Sequence, residues 1–207
     1  MGKIASGRRW LKQHAADPYV KSARAAGYRS RAALKLLQIN AQERLLHPGM
    51  TVVDLGAAPG GWSQVVSAIV GRGGRVVSVD VLPMEPIANV AFVRGDICDE
   101  TVFTSLLDML RGSKADLVIS DIAPNISGIK TVDHLCALRL AGLVSEIAGR
   151  VLKPNGDLLV KLFQGQGFEE FFKGLRSSYR TVHRRKPKAS RGRSREIYIL
   201  ARSYYAG

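Results

Sequence analysis

Cysteine is scarce in this chain of 207 residues. Cys98 and Cys136 are the only two, and their spacing matches neither a zinc ligand set nor a redox pair. A disulfide scaffold and a thiolate metal centre are thereby excluded, and both cysteines read as reduced, intracellular residues. No metal site is expected. Long apolar runs are also missing. None approaches the ~20 residues needed to cross a bilayer, and no apolar segment near Met1 resembles a secretory leader. Met1–Ser6 fits the short myristoylation pattern, which is too permissive to adopt. These absences point to a cytoplasmic protein without a membrane partner. Internal repeats are lacking as well.

Acidic residues are scarce in two places. Residues 1–40 hold nine Lys/Arg against Asp17 alone, and residues 171–207 hold eleven against Glu196 alone. Residues 41–170 reverse the balance, with eleven Lys/Arg and fifteen Asp/Glu, inside an overall net charge of +14. An acidic middle between two basic ends suggests a ligand-binding core with polyanion-binding flanks. The plainer alternative is that both ends are merely well solvated.

What is present centres on Thr51–Trp62, TVVDLGAAPGGW. Apolar and β-branched residues lead into a glycine turn, and Trp62–Val66 then begins a helical pattern: the first half of a nucleotide-binding βαβ unit. A dinucleotide fingerprint fails, because Ala58 stands where the second glycine of G-x-G-x-x-G belongs. A P-loop fails too, because Trp62 replaces its lysine. The turn therefore suits a nucleoside without phosphates, of which S-adenosylmethionine is the obvious case. The competing reading is a tight strand–helix connection with no ligand.

Along the chain, Tyr19–Leu46 has helical spacing, with Ser30 as N-cap of the helix carrying Lys35 and a break at Pro48-Gly49. Strands are expected at 51–55, 75–80, 90–94, 115–120, 157–162, 179–185 and 196–201. Helices are expected at 62–70, 101–110, 134–152 and 168–177. This alternation predicts an α/β fold: a seven-stranded, mostly parallel sheet with helices on both faces and one antiparallel edge hairpin strand. Residues 1–48 form a basic arm and helix; residues 49–207 form the main unit of a single domain.

Ligands of open α/β sheets lie beyond the carboxyl ends of the strands. Asp54, Asp80, Asp96 and Asp121 stand there on four strands, and Lys161 ends a fifth. Asp80 suits a ribose diol and Asp96 an adenine amino group, although any one of them could be a turn or cap residue. Asp121 and Lys161 end neighbouring strands and should face each other, as a salt bridge or as reactive groups.

With Tyr28–Ala32 and Lys35, Val53–Gln64, Ser120–Asn125, Val160–Gly165 and Arg193–Tyr198 in place, the chain resembles the FtsJ-like ribosomal RNA 2′-O-methyltransferases over nearly its whole length. The resemblance implies a Rossmann-like class I methyltransferase fold and a Lys-Asp-Lys-Glu tetrad at Lys35, Asp121, Lys161 and Glu196. It implies S-adenosylmethionine as cofactor, with contacts at Gly60, Trp62, Asp80, Asp96 and Asp121. The implied reaction is methyl transfer to the ribose 2′-hydroxyl of a uridine in large-subunit ribosomal RNA, on the assembled or assembling subunit. Partners are then rRNA and the large ribosomal subunit, with the enzyme acting as a monomer. A tRNA or mRNA-cap 2′-O-methyltransferase would share the tetrad, and a non-enzymatic ribosome-assembly factor would share the flanks. Lys161 would serve as proton acceptor or as a charged orienting group. Arg8, Arg9, Lys12, Lys21, Arg24, Arg29 and Arg31 at one end are expected to bind RNA phosphates. Arg184, Arg185, Lys186, Lys188, Arg191, Arg193 and Arg195 do so at the other. Trp10, Tyr19 and Tyr28 either stack on a base or pack in the core.

Overall fold

The computed structural model describes residues 17–124, 127–191 and 194–205. The strands are β1 (Thr51–Leu55), β2 (Arg75–Asp80), β3 (Val90–Arg94), β4 (Ala115–Ser120), β5 (Leu152–Phe163), β6 (Tyr179–Arg185) and β7 (Glu196–Tyr204). The helices are α1 (Pro18–Ala25), α2 (Ala32–Glu43), α3 (Gly61–Val70), α4 (Glu100–Leu110), α5 (Lys130–Val151) and α6 (Phe168–Leu175). The strands form one sheet in the order β3-β2-β1-β4-β5-β7-β6. Pairing is parallel from β3 to β5 and antiparallel on both sides of β7, so the reversed strand lies one place in from the edge.

Alternation along the strands divides the core in two. Val53, Leu55, Val77, Val118, Leu158, Val160 and Ile199 meet α4, α5 and α6 on one face. Val52, Val76, Leu117, Ile119, Leu159, Tyr198 and Leu200 meet α2 and α3 on the other. Near-continuous apolar strands are what a sheet covered on both faces requires. The same period of two decides where the polar strand residues point. Lys161 follows Leu159 by two and lies opposite Tyr198 in the β5–β7 register. Both therefore belong to the face that carries α2.

Two expectations about the first helical region change, and one about β5. Tyr19–Leu46 is two helices rather than one pattern, because the chain turns at Gly27, whose φ is 78°. Ser30 is not the N-cap of α2. Arg31 holds that position with helical torsions and no side-chain cap bond, and the Ser30 carbonyl, not its hydroxyl, meets the Ala33 N–H. The cap of α1 is instead Asp17, whose side chain accepts from the Tyr19 N–H at 3.0 Å, with Pro18 at the first helical position. Strand β5 starts at Leu152, five residues earlier than its apolar run suggests, because Leu152 already pairs with Ala115.

Candidate active site

A cleft of about 560 Å³ opens at the carboxyl ends of β1, β2, β3 and β4. Asp80, Asp96 and Asp121 stand in its wall among Val79, Leu82, Ile97, Ile122 and Leu143. Among the described residues the wall carries these three carboxylates and no Lys, Arg or His. A phosphate would meet only repulsion there, whereas a nucleoside with hydroxyls and a positive charge finds acceptors. The cleft floor depends on Gly56, at φ 76°, because a Cβ there would lie 2.7 Å from Cβ of Ile122.

The acids of the cleft are held by backbone. Asp80 accepts the Ala58 and Leu82 N–H groups, each at 2.8 Å, which joins the glycine turn to the segment after β2. Asp96 accepts the Cys98 N–H at 3.0 Å and is otherwise exposed. Asp54, the acid at the end of β1, is not in the wall. It is buried below the turn, where it accepts from Ser63 Oγ at 2.7 Å, and Ser63 meets Ser78 Oγ at 2.9 Å. Desolvation pushes the Asp54 carboxyl up to about 7, with the hydrogen bond from Ser63 opposing and the charges of Asp121 and Asp80 adding to the rise.

Beside the cleft, residues of four elements converge. Lys35 comes from α2, Asp121 from the end of β4, Lys161 from β5 and Glu196 from β7. Lys35 Nζ lies 2.6 Å from Glu196 Oε1, and Lys161 Nζ lies 3.0 Å from Asp121 Oδ1. Lys161 also donates to the Asp121 carbonyl. With Lys35 8% and Lys161 7% exposed, neither ammonium could be kept here without its carboxylate. Ser190 Oγ donates to Glu196 at 2.9 Å.

The two ion pairs meet through a residue to which sequence reading gave no role. The Tyr198 hydroxyl donates to Asp121 Oδ1 at 2.7 Å and accepts from Lys35 Nζ at 3.2 Å. Burial, with the Asp121 and Glu196 carboxylates alongside, lifts this phenol well above its ordinary range. It therefore stays protonated and donates. The sequence signal was available: a tyrosine two residues after Glu196, on the same face of the strand.

Two of the expected cofactor positions stand elsewhere. Trp62 is buried in the core, donates Nε1–H to the Ala32 carbonyl at 2.8 Å and packs its ring 5.6 Å from that of Tyr198. It supports the Lys-Asp-Lys-Glu cluster rather than the wall of the cleft. Gly60, at φ 103°, lets the turn pass under Arg29, Met84 and Ile87, all of which a Cβ would strike.

The basic flanks divide similarly. Arg29 donates to the carbonyls of Pro59, Glu85 and Pro86 and ties the glycine turn to the loop beyond β2. Arg31 is paired with Asp17 and donates to the Ala189 carbonyl. Arg184 grips Glu169, Arg185 pairs with Glu43, and Arg191 lies 3.6 Å from Asp17. Lys186 donates to the Ser194 carbonyl at 3.1 Å. Lys21, Arg24, Lys188 and Arg195 are exposed. Tyr28 packs against the α2–α3 core, and Tyr19 lies under the Arg31 guanidinium. Arg8, Arg9, Trp10, Lys12, Asn125 and Arg193 lie outside the described residues.

Known proteins resemble this chain over nearly its whole length. Residues 28–204 match the family described as FtsJ-like methyltransferase. The chain is 50% identical over 204 residues to the ribosomal RNA large subunit methyltransferase E of Pseudomonas aeruginosa, covering 99% of each chain. It is 49% identical, with the same coverage, to the protein of that name from Marinobacter nauticus. Among solved structures, one described as a ribosomal RNA methyltransferase of Plasmodium falciparum superposes with a TM-score of 0.79 at 28% identity. That match covers 87% of this chain and all of the other.

Proposed function

The chain belongs to the FtsJ-like methyltransferase family, and from that premise we propose that it methylates the ribose 2′-hydroxyl of a uridine in large-subunit ribosomal RNA, with S-adenosylmethionine as the methyl donor. The observation that carries this reading is the placement of Lys161 and Asp121 beside a cleft walled by carboxylates without a cation. The relatives of near 50% identity named for the large ribosomal subunit supply the substrate.

The donor fits the cleft. Asp80 is positioned for the ribose diol and Asp96 for the adenine amino group, while Asp121 faces the cationic end. Gly60 and Trp62 shape the turn beneath. When bound, S-adenosylmethionine supplies an electrophilic methyl group on a sulfonium.

The acceptor is an alcohol, a weak nucleophile near neutral pH, and it must lose its proton as the new bond forms. Lys161, in its neutral amine form, is the group assigned to take that proton on its lone pair. Two of its hydrogen-bonding directions are held by the Asp121 carboxylate and carbonyl, which leaves the third for the 2′-oxygen. Asp121 then steadies the ammonium that results. Lys35 and Glu196 keep Asp121 in place through Tyr198 and offer positive charge on the acceptor side. Much of the acceleration comes from holding the two reactants in line. Exposed cations such as Lys21, Arg24 and Lys188 contact RNA phosphates.

Methylation of large subunits, free large-subunit rRNA and tRNA, followed by mapping of 2′-O-methyl positions, tests the assignment. Modification of one uridine in large-subunit rRNA is expected. Methylation of tRNA alone would overturn the choice of substrate.

A further inference from the structure

A second, smaller cavity of about 210 Å³ lies beside the donor cleft. The two share a wall, the Ala123–Pro124 segment two residues beyond Asp121. The rest of the lining comes from Phe163 and Gln164, two and three residues beyond Lys161, from Arg195, one residue before Glu196, and from Asp133 and His134 of α5. Five of the seven lining residues therefore stand within three positions of a tetrad residue: Ala123 and Pro124 of Asp121, Phe163 and Gln164 of Lys161, Arg195 of Glu196.

Its chemistry differs from that of the donor cleft. Phe163 is half-buried, offering an aromatic ring, and the Gln164 amide and Arg195 guanidinium are exposed. The Gln164 N–H donates to the Arg195 carbonyl at 2.9 Å, which fixes the two side chains as neighbours at the mouth of the β5–β7 pair. The His134 ring lies against this rim, with Nε2 beside the Gln166 carbonyl. Asp133 is already committed to the Ser127 and Gly128 N–H groups. An aromatic plane with donors and acceptors around it and a cation at the rim is what an unstacked base and its adjoining phosphate require. The volume is less than half that of the donor cleft, which favours one base over a dinucleotide.

We propose that this cavity receives the base of the nucleotide whose 2′-oxygen is methylated, stacked on Phe163, with Gln164 and His134 at its hydrogen-bonding edge and Arg195 on the adjoining phosphate. This rests on the methyl-transfer reading above and deepens it. An extruded pyrimidine held here brings its own ribose to the Ala123–Pro124 ridge, beyond which the donor lies. Phe163, Gln164 and Arg195 act by positioning; the proton and the methyl group move at Lys161 and the 2′-oxygen.

A cycle between protein and substrate tests the assignment. The RNA is prepared in two forms, one with the mapped uridine and one with an abasic ribose at that position. Full-length wild-type protein, Phe163→Ala and Phe163→Leu are compared by single-turnover methyl transfer. Loss of a stacking ring should slow the intact substrate by roughly tenfold or more. Removal of the base should cost the wild type a similar factor, and the abasic substrate should be nearly blind to either variant. Donor affinity, read by calorimetry with S-adenosylmethionine, should not move. An independent reading uses 5-fluorouridine at the same position: its 19F resonance should shift on binding to the wild type and shift less with Phe163→Ala. If the two losses multiply, or the 19F shift is unchanged in the variant, the base lies elsewhere and the cavity assignment falls. If the wild type methylates no RNA, the underlying reading fails instead.

Discussion

The donor cleft and the tetrad share Asp121 and little else. In the cleft, Asp80 and Asp96 each find partners within their own loops or in the neighbouring turn, all of them backbone N–H groups. In the tetrad, Lys35, Asp121, Lys161 and Glu196, with Tyr198 between their pairs, find mainly one another, across four elements and up to 163 residues of chain. The first arrangement is local and tolerant. The second is a closed set of buried charges, in which removing one member strands another in a low-dielectric interior. A change in the cleft should therefore weaken donor binding, and a change in the tetrad should slow the transfer step.

The sharpest break is Lys161→Ala. It should lower the rate of methyl transfer by roughly 10²- to 10⁴-fold, while calorimetry finds donor binding retained. Near-wild-type turnover would remove Lys161 from the reaction. Tyr198→Phe comes next. It keeps the ring against Trp62 but removes the hydroxyl between the two ion pairs, so kcat should fall by about tenfold to a hundredfold, the cost of an unsatisfied buried group. An unchanged kcat would make the ion pairs independent. Asp80→Ala should weaken donor binding by about tenfold and leave kcat at saturating donor nearly unaltered. A loss of kcat equal to that of Tyr198→Phe would erase the distinction between the two regions.

An effect of another kind, on stability rather than on rate or affinity, lies beneath the cleft. Asp54 is lifted from 3.8 to about 7 in the folded chain. The folded state thus holds a proton that the unfolded chain releases at lower pH. This contribution to stability is complete below pH 3.8 and declines as pH rises to about 7. Asp54→Asn should flatten that slope, as read from urea midpoints at several pH values. A slope identical to wild type would place the pH dependence elsewhere.

The contrast also explains what sequence reading reached. The strands were legible because a sheet covered on both faces needs runs such as Val76–Val79, and their carboxyl ends followed. Asp80 and Asp96, both held by backbone N–H groups, were read from strand ends alone. Lys35 and Glu196 came only through family resemblance, since no local pattern links α2 to β7, and their pairing emerged only from the fold. Tyr198 was missed because an apolar strand accommodates a tyrosine without remark; only the β5–β7 register sets it opposite Lys161. Ser30 misled because capping depends on backbone torsions at Arg31 that residue type does not determine. Arg29, Arg31, Arg184 and Arg185 were read as RNA contacts from charge alone, whereas each is tied to carbonyls or carboxylates within the fold.

The place of β7 between β5 and β6 bears on how the protein is born. All residues lining the donor cleft fall between Leu55 and Val144. Glu196 and Tyr198 arrive only with β7, and β6 pairs with no strand other than β7. As the chain leaves the ribosome, the parts of the donor cleft emerge well before the parts that complete the tetrad. Until β7 slides into the gap, β6 has no partner in the sheet and Lys35 has no carboxylate. The residues of the cleft are thus synthesised well before the strand that brings Glu196 to Lys35.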